Sequence, residues 1–94
     1  MTYNFQYEFF LITDEDTGEH HLFTIWINAA QFIYNKMVEW GALVYDKYLN
    51  LISIKDMSFN DFFELDLVDI NELIESYFFV EKIKFADRKG FFGR

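Results

Sequence analysis

The sequence predicts a small α+β domain: an antiparallel sheet, made of an N-terminal hairpin and a C-terminal strand, with a long central helix and one or two short helices on one face. Three observations predict this class. Apolar residues alternate along residues 3–27, they recur at helical spacing from residue 29 onwards, and residues 77–85 read YFFVEKIKF, which is typical of a strand. The expected order of elements is β-β-α-(short)-α-α-β.

The first predicted element is a β-hairpin with its tip near Thr17-Gly18, where glycine can adopt the positive φ that a tight turn requires. Before the tip, every second residue is apolar and shares one face: Tyr3, Phe5, Tyr7, Phe9 and Leu11. After the tip, the alternation resumes at His21, Phe23, Ile25 and Ile27. This is the period of a half-buried strand, so we expect these odd-numbered side chains to face the core.

The central element is a helix predicted over residues 29–49, with Asn28 as its N-cap. Its apolar residues recur at helical spacing: Ala30, Ile33, Tyr34, Met37, Val44, Tyr45 and Tyr48. A glycine inside a helix costs about 1 kcal/mol relative to alanine, so Gly41 could instead break the helix and leave a short strand over residues 42–46. We favour a continuous helix, because its polar positions stay largely on one side.

Shorter elements follow. Residues 51–54 form a short strand or an apolar connection. Ser58 has an acid, Asp61, three residues later, which is the outline of a capping box and begins a brief helix. Asp69 and Glu72 have the same outline and begin a second helix, with four apolar residues facing inward: Ile70, Leu73, Ile74 and Tyr77. Residues 77–85 then close the sheet.

The composition fits one domain over residues 1–94, with a basic, aromatic tail at residues 86–94 that we expect to be flexible. The chain has no Cys, so disulfides and thiolate metal sites are excluded. It has 13 Phe, 6 Tyr and 2 Trp, more than so small a core should hide. We therefore expect a homodimer or a tight hetero-complex that covers part of this aromatic surface.

The charge is unevenly distributed. Residues 1–81 carry 15 acids and 3 bases and residues 82–94 carry 1 acid and 5 bases, which gives −12 and +4, or −8 in all. An acidic body argues against direct binding to nucleic acid or to anionic membranes. The first residues do not resemble a secretory signal, and no stretch approaches the roughly 20 apolar residues of a membrane span, so we expect a cytoplasmic protein.

The most one-sided segment is residues 56–81, which contains no Lys or Arg and eight acids: Asp56, Asp61, Glu64, Asp66, Asp69, Glu72, Glu75 and Glu81. Exposed helices usually mix the two signs, because Glu–Lys pairs stabilise them. We predict a partner-binding surface made of Asp61, Glu64, Asp66, Asp69, Glu72 and Glu75. On a helix over residues 66–76, acids three apart rise by about 4.5 Å, a loose match to the roughly 3.4 Å between phosphates of one DNA strand. The alternative is a solvated face that only keeps the protein soluble.

Other kinds of site have weaker support. The hairpin tip crowds residue types that bind divalent ions: Asp14, Glu15, Asp16, Glu19, His20 and His21. Their spacing fits neither an EF-hand nor an HExxH helix, and the two histidines lie on opposite strand faces, so we predict no metal and no cofactor. No nucleophile elbow, phosphate loop or Ser/His/Asp pattern is present, so no enzyme activity is predicted. The basic, aromatic residues 82–94 could stack on single-stranded nucleic acid, but the acidic body would repel it. We expect the tail instead to pair with the acidic surface of its own or a neighbouring subunit, or to be disordered past Gly90.

These observations favour a non-catalytic interaction protein that blocks a basic, nucleic-acid-binding surface of a partner protein. By analogy alone, it is a nucleic-acid mimic of the anti-CRISPR or anti-restriction type that phages use as inhibitors. One alternative is a homo-oligomeric structural or accessory protein whose acids only solubilise it. A weaker alternative is a small metal-dependent or carboxylate enzyme.

Overall fold

The computed structural model describes the backbone of residues 5–87 and the side chains of residues 8–84. The elements in this part are β1 (Phe5–Asp14), β2 (His20–Phe23), α1 (Trp26–Glu39), β3 (Leu43–Tyr45), β4 (Leu51–Ser53), α2 (Phe59–Phe63), α3 (Leu67–Ile74) and β5 (Phe78–Asp87). A 3-10 turn, Ile54–Asp56, joins β4 to α2. The fold is α+β with helices packed on an antiparallel sheet, so the predicted fold class is confirmed.

The main sheet has the strand order β2-β1-β5, and both pairings are antiparallel. β1 pairs with β5 over ten residue pairs, from Phe5 with Asp87 to Asp14 with Phe78. β2 pairs only with residues 10–13 of β1, so the remainder of the β1–β5 ladder is a two-stranded ribbon. The predicted closing strand is confirmed, and it runs two residues beyond Phe85.

The hairpin tip is built as predicted. Gly18 has φ +78°, and its N–H donates to the carbonyl of Asp14 at 2.7 Å. The Asp14 carboxylate accepts from the N–H groups of Asp16 and Thr17 at 2.8 and 3.1 Å. Asp14 is buried, and both bonds go to its Oδ1 atom. One acid of the tip is therefore structural.

The face of β1 that meets the helices is not the predicted one. Ile12 is fully buried, and the ring of Phe10 lies 5.2 Å from that of Trp26 in α1. Phe9 and Leu11 are half-buried on the opposite face. Residues 9–12 of β1 are all apolar, so the alternation over residues 3–11 did not determine which face the helices cover.

On β2 the predicted face is correct for two residues. The rings of His21 and Phe23 lie 4.6 and 5.4 Å from the ring of Phe32 in α1. Ile25 and Ile27, predicted to continue this face, are exposed. The strand ends before them, because the chain turns into α1 at residue 26.

α1 begins earlier than predicted. Its N-cap is Ile25, which has extended backbone and no capping side-chain bond. Asn28, the predicted cap, lies in the first turn, where its N–H donates to the carbonyl of Ile25 at 3.1 Å. Propensity favoured Asn at the cap, but burial of Ala29, Ala30 and Ile33 fixes the helix where it is.

The preferred prediction of a continuous helix over residues 29–49 is wrong. α1 ends at Glu39, and Gly41 takes φ +64°. The N–H of Gly41 donates to Val38 at 3.0 Å and that of Ala42 to Met37 at 2.8 Å, which are the two bonds of a Schellman motif. Gly41 therefore ends the helix, and the alternative of a break followed by a short strand is the one observed.

β3 pairs with β4 as a second, two-stranded sheet and confirms a short strand at residues 51–53. Val44 is buried, whereas Tyr45 and Tyr48, predicted on the helix, are exposed. The Asp46 carboxylate accepts from the N–H groups of Tyr48 and Asn50 at 2.9 and 2.8 Å and shapes the turn between the strands. This hairpin therefore holds aromatic and aliphatic side chains out to solvent.

The core lies between the main sheet and the helices. Its largest fully buried side chains come from β1, the three helices, the 3-10 turn and β5: Ile12, Ile33, Met37, Ile54, Phe62, Ile70, Ile74, Phe78 and Val80. Burial of each contributes about 1.5–3 kcal/mol. The hydroxyl of Tyr34 donates to the carbonyl of Met57 at 2.6 Å and ties α1 to the segment before α2. Among residues 5–87, no helix combines the length and the apolar character needed to cross a bilayer.

Candidate acidic partner-binding surface

The candidate surface lies on α2, on α3 and on the segment that joins them. The Ser58 hydroxyl accepts from the N–H of Asp61 at 3.1 Å, which confirms the predicted start of α2. The Asp66 carboxylate accepts from the N–H of Asp69 at 2.9 Å and caps α3. The predicted start at Asp69 with Glu72 is therefore wrong by three residues. Each first turn contains an acid that the helix dipole stabilises.

α3 is held rigidly on the edge of the main sheet. Ile70 and Ile74 are fully buried, as predicted. The side-chain amide of Asn71 donates to the carbonyl of Val80 at 2.9 Å and accepts from its N–H at 2.8 Å. Asn71 thus takes the place of a neighbouring strand at this position of β5 and anchors the helix that carries Asp69 and Glu72.

All six predicted binding residues are exposed: Asp61, Glu64, Asp66, Asp69, Glu72 and Glu75. Within residues 8–84, the ion pairs are made by other acids, Glu8, Glu19 and Glu39. No cation of the described part neutralises the six.

The structure does not present these acids as one row. α3 spans eight residues, about 12 Å. Only Asp69 and Glu72 lie within it, since Asp66 is its N-cap and Glu75 its C-cap. One oxygen of Asp66 is used by the cap, so the four carboxylates are not equivalent. α3 is therefore shorter at both ends than a helix over residues 66–76 would be.

A groove beside α3 was missed in the sequence. It has a volume of about 430 Å³ and is lined by Glu15, Val68, Asn71, Glu72, Glu75, Phe78 and Phe79. Val68, Glu72 and Glu75 share one helix face by their spacing, which was a usable signal. Glu15 arrives from the hairpin, where its N–H donates to the carbonyl of Tyr77 at 3.0 Å. The tertiary fold, and not the local sequence, brings Glu15 to the groove.

The other predicted groups are spread apart. His20 Nδ1 lies 3.1 Å from Thr13 Oγ1, and His21 Nε2 lies 3.9 Å from a carboxylate oxygen of Glu19. In the described part of the chain, no three His, Asp or Glu side chains come together as metal ligands would. The carboxylate of Asp14 accepts hydrogen bonds from the backbone of the hairpin turn, so this acid has a structural role at the tip.

The basic segment is only partly described. Lys82 and Lys84 lie on β5, with their amino groups 3.5 and 3.9 Å from the carboxylate oxygens of Glu8 on β1. Of the predicted tail at residues 86–94, the backbone of residues 86–87 belongs to β5. Residues 88–94 lie outside the described range.

Comparison of the chain with protein-family models, with curated proteins and with solved structures gives no match. The function therefore has to be argued from the surface itself.

Proposed function

We propose that the chain is a non-catalytic interaction protein whose acidic surface, residues Asp61, Glu64, Asp66, Asp69, Glu72 and Glu75, binds a basic site on a partner protein. One observation carries the proposal: the six carboxylates are exposed on capped, packed elements, and no cation of the described residues pairs with them. Fixed, unneutralised charge steers a partner of opposite sign and makes association fast.

A nucleic-acid-binding site is the partner surface that we favour. Such sites collect Lys and Arg side chains that meet phosphates, and exposed carboxylates on and beside α2 and α3 offer them the same sign of charge. Occupying the site would exclude its nucleic acid and inhibit the partner. An anti-CRISPR or anti-restriction role in the cytoplasm is the form of inhibition that small size and acidity suggest by analogy.

A homo-oligomeric structural or accessory role is the second candidate. The exposed apolar side chains of the β3–β4 hairpin favour it, namely Leu43, Tyr45, Tyr48, Leu49 and Leu51. Aromatic side chains are enriched where subunits meet. In this case the acids of α2 and α3 would only keep the protein soluble.

The two candidates are separated by neutralising four acids without changing their shape. The test variant is D66N/D69N/E72Q/E75Q, in which Asn at position 66 can still cap α3. The matched control is D16N/E39Q/D56N/E81Q, whose four acids are exposed and lie outside the acidic surface. Each variant changes the net charge from −8 to −4.

Partners are captured from lysate on wild-type protein and then purified. The affinity of the purified partner for the wild type and for both variants is measured at about 50 and 300 mM salt. We expect the test variant to bind at least about tenfold more weakly at low salt, with a flatter salt dependence, and the control to stay within about threefold. Wild-type protein should compete with DNA or RNA for the partner. Undiminished binding by the folded test variant would refute the proposal.

A further inference from the structure

The groove beside α3 combines an apolar interior with an acidic rim. Of its apolar lining residues, Phe78 is buried, whereas Val68 and Phe79 are 67% and 43% exposed. The amide of Asn71 is already bonded to the backbone of Val80. An occupant would therefore meet mostly apolar contact inside the groove.

The rim carries three carboxylates, Glu15, Glu72 and Glu75. All three are exposed, and none forms an ion pair within residues 8–84. Glu72 and Glu75 come from α3 and its C-cap and Glu15 from the β1–β2 hairpin, so two separate parts of the chain bring negative charge to the apolar lining. This arrangement complements an apolar group that has cations beside it, and it disfavours an acidic or purely polar occupant.

We propose that the groove binds an apolar side chain of the protein partner that is flanked by Lys or Arg. This deepens the proposed function and rests on it, because the groove shares Glu72 and Glu75 with the acidic surface. Its volume of about 430 Å³ is near the lower end of the range of ligand pockets, roughly 300–1,000 Å³, and suits one or two side chains. The acids then supply attraction, and the groove supplies selectivity among basic partners.

Two labelled peptides of equal charge test the proposal, Lys-Lys-Leu-Leu-Lys-Lys and Lys-Lys-Ser-Ser-Lys-Lys. We expect the Leu peptide to bind at least about fivefold more tightly, since burying even part of a Leu side chain yields such a difference. In an NMR titration it should shift the backbone amides of Val68, Asn71 and Phe79. Both peptides should bind the E72Q/E75Q variant more weakly than wild-type protein.

Apolar variants separate the groove from the charge. Val68→Ser and Phe79→Ser should each remove most of the preference for the Leu peptide while leaving the Ser peptide unchanged. Leu22→Ser is the matched control, because Leu22 is 59% exposed on β2, outside the groove. It should retain the preference.

Equal binding of the two peptides to wild-type protein would overturn the groove proposal and leave the acidic surface intact. A preference that survives Val68→Ser and Phe79→Ser, or that Leu22→Ser abolishes, would overturn it as well. So would the absence of binding by either peptide. The proposed function is decided separately, by the purified partner and the four-acid variant.

Discussion

Asn71 is expected to contribute more to stability than any exposed polar residue of α3. In Asn71→Ala, both backbone groups of Val80 lose their partner, and Val80 is only 1% exposed. Each buried group left without a hydrogen bond costs about 1–3 kcal/mol, and water entering beside the half-buried Asn71 keeps each cost near the lower limit. The substitution should therefore cost about 2–4 kcal/mol. Domains of this size have roughly 5–14 kcal/mol in total.

The effect is measured by thermal and urea denaturation. For a domain of 60–100 residues, each kcal/mol lowers Tm by about 4–8 °C, so Tm should fall by at least about 8 °C. Asn71→Leu keeps the bulk of the side chain without its hydrogen bonds and should be similarly unstable. Asn60→Ala, at an exposed position in α2, should change stability by less than about 0.5 kcal/mol.

Either of two results would refute the reasoning on Asn71. One is a Tm for Asn71→Ala within about 2 °C of the wild type, which would show that water replaces both bonds at little cost. The other is wild-type stability for Asn71→Leu, which would assign the effect to packing.

Two further predictions concern the backbone and the assembly. Gly41→Ala should lower the free energy of unfolding by about 1–2 kcal/mol, because φ is +64° at this position. No atom lies within 4 Å of an added Cβ, so the cost comes from the backbone conformation alone. Urea denaturation measures the change, and an unchanged free energy of unfolding would contradict the prediction. Light scattering should show a homodimer at high micromolar concentration when no partner is present, since Tyr45, Tyr48 and Leu49 are exposed, and a monomer at every concentration would count against self-association.

Local signals predicted the fold well where one signal acted alone. The turn at Thr17-Gly18 and the cap at Ser58 are both present, because each depends on a few neighbouring residues. The end of α1 was missed because two signals competed: helical spacing continued past Gly41, while Gly41 itself favoured a C-terminal cap. The buried face of β1 was missed for another reason, since apolar residues occupy both faces.

The acidic surface was predictable as composition but not as geometry. The exposure of Glu72 and Glu75 follows from the helical positions of their buried neighbours. Because Asp66 is the N-cap, α3 starts three residues earlier than predicted. Asp69 and Glu72 therefore lie within the helix, whereas Asp66 and Glu75 lie at its two caps. The groove depends on Glu15, which lies far from α3 in sequence and reaches it only through the hairpin. No local sequence pattern could therefore predict that Glu15 lies beside α3.

The ten-pair ladder between β1 and β5 also constrains the order of folding, because it joins the two ends of the described chain. Its partners lie 64 (Asp14 with Phe78) to 82 (Phe5 with Asp87) positions apart, so a large loop must close before this pairing stabilises anything. At about 5–20 residues per second, a ribosome needs roughly 3–16 s to make the chain between these partners. During that interval β1 lacks a partner on one edge over its whole length and, outside residues 10–13, on both edges, and such edges are open to other chains. The exposed edges of β1 are therefore the part of the nascent chain at which aggregation during synthesis is expected to start.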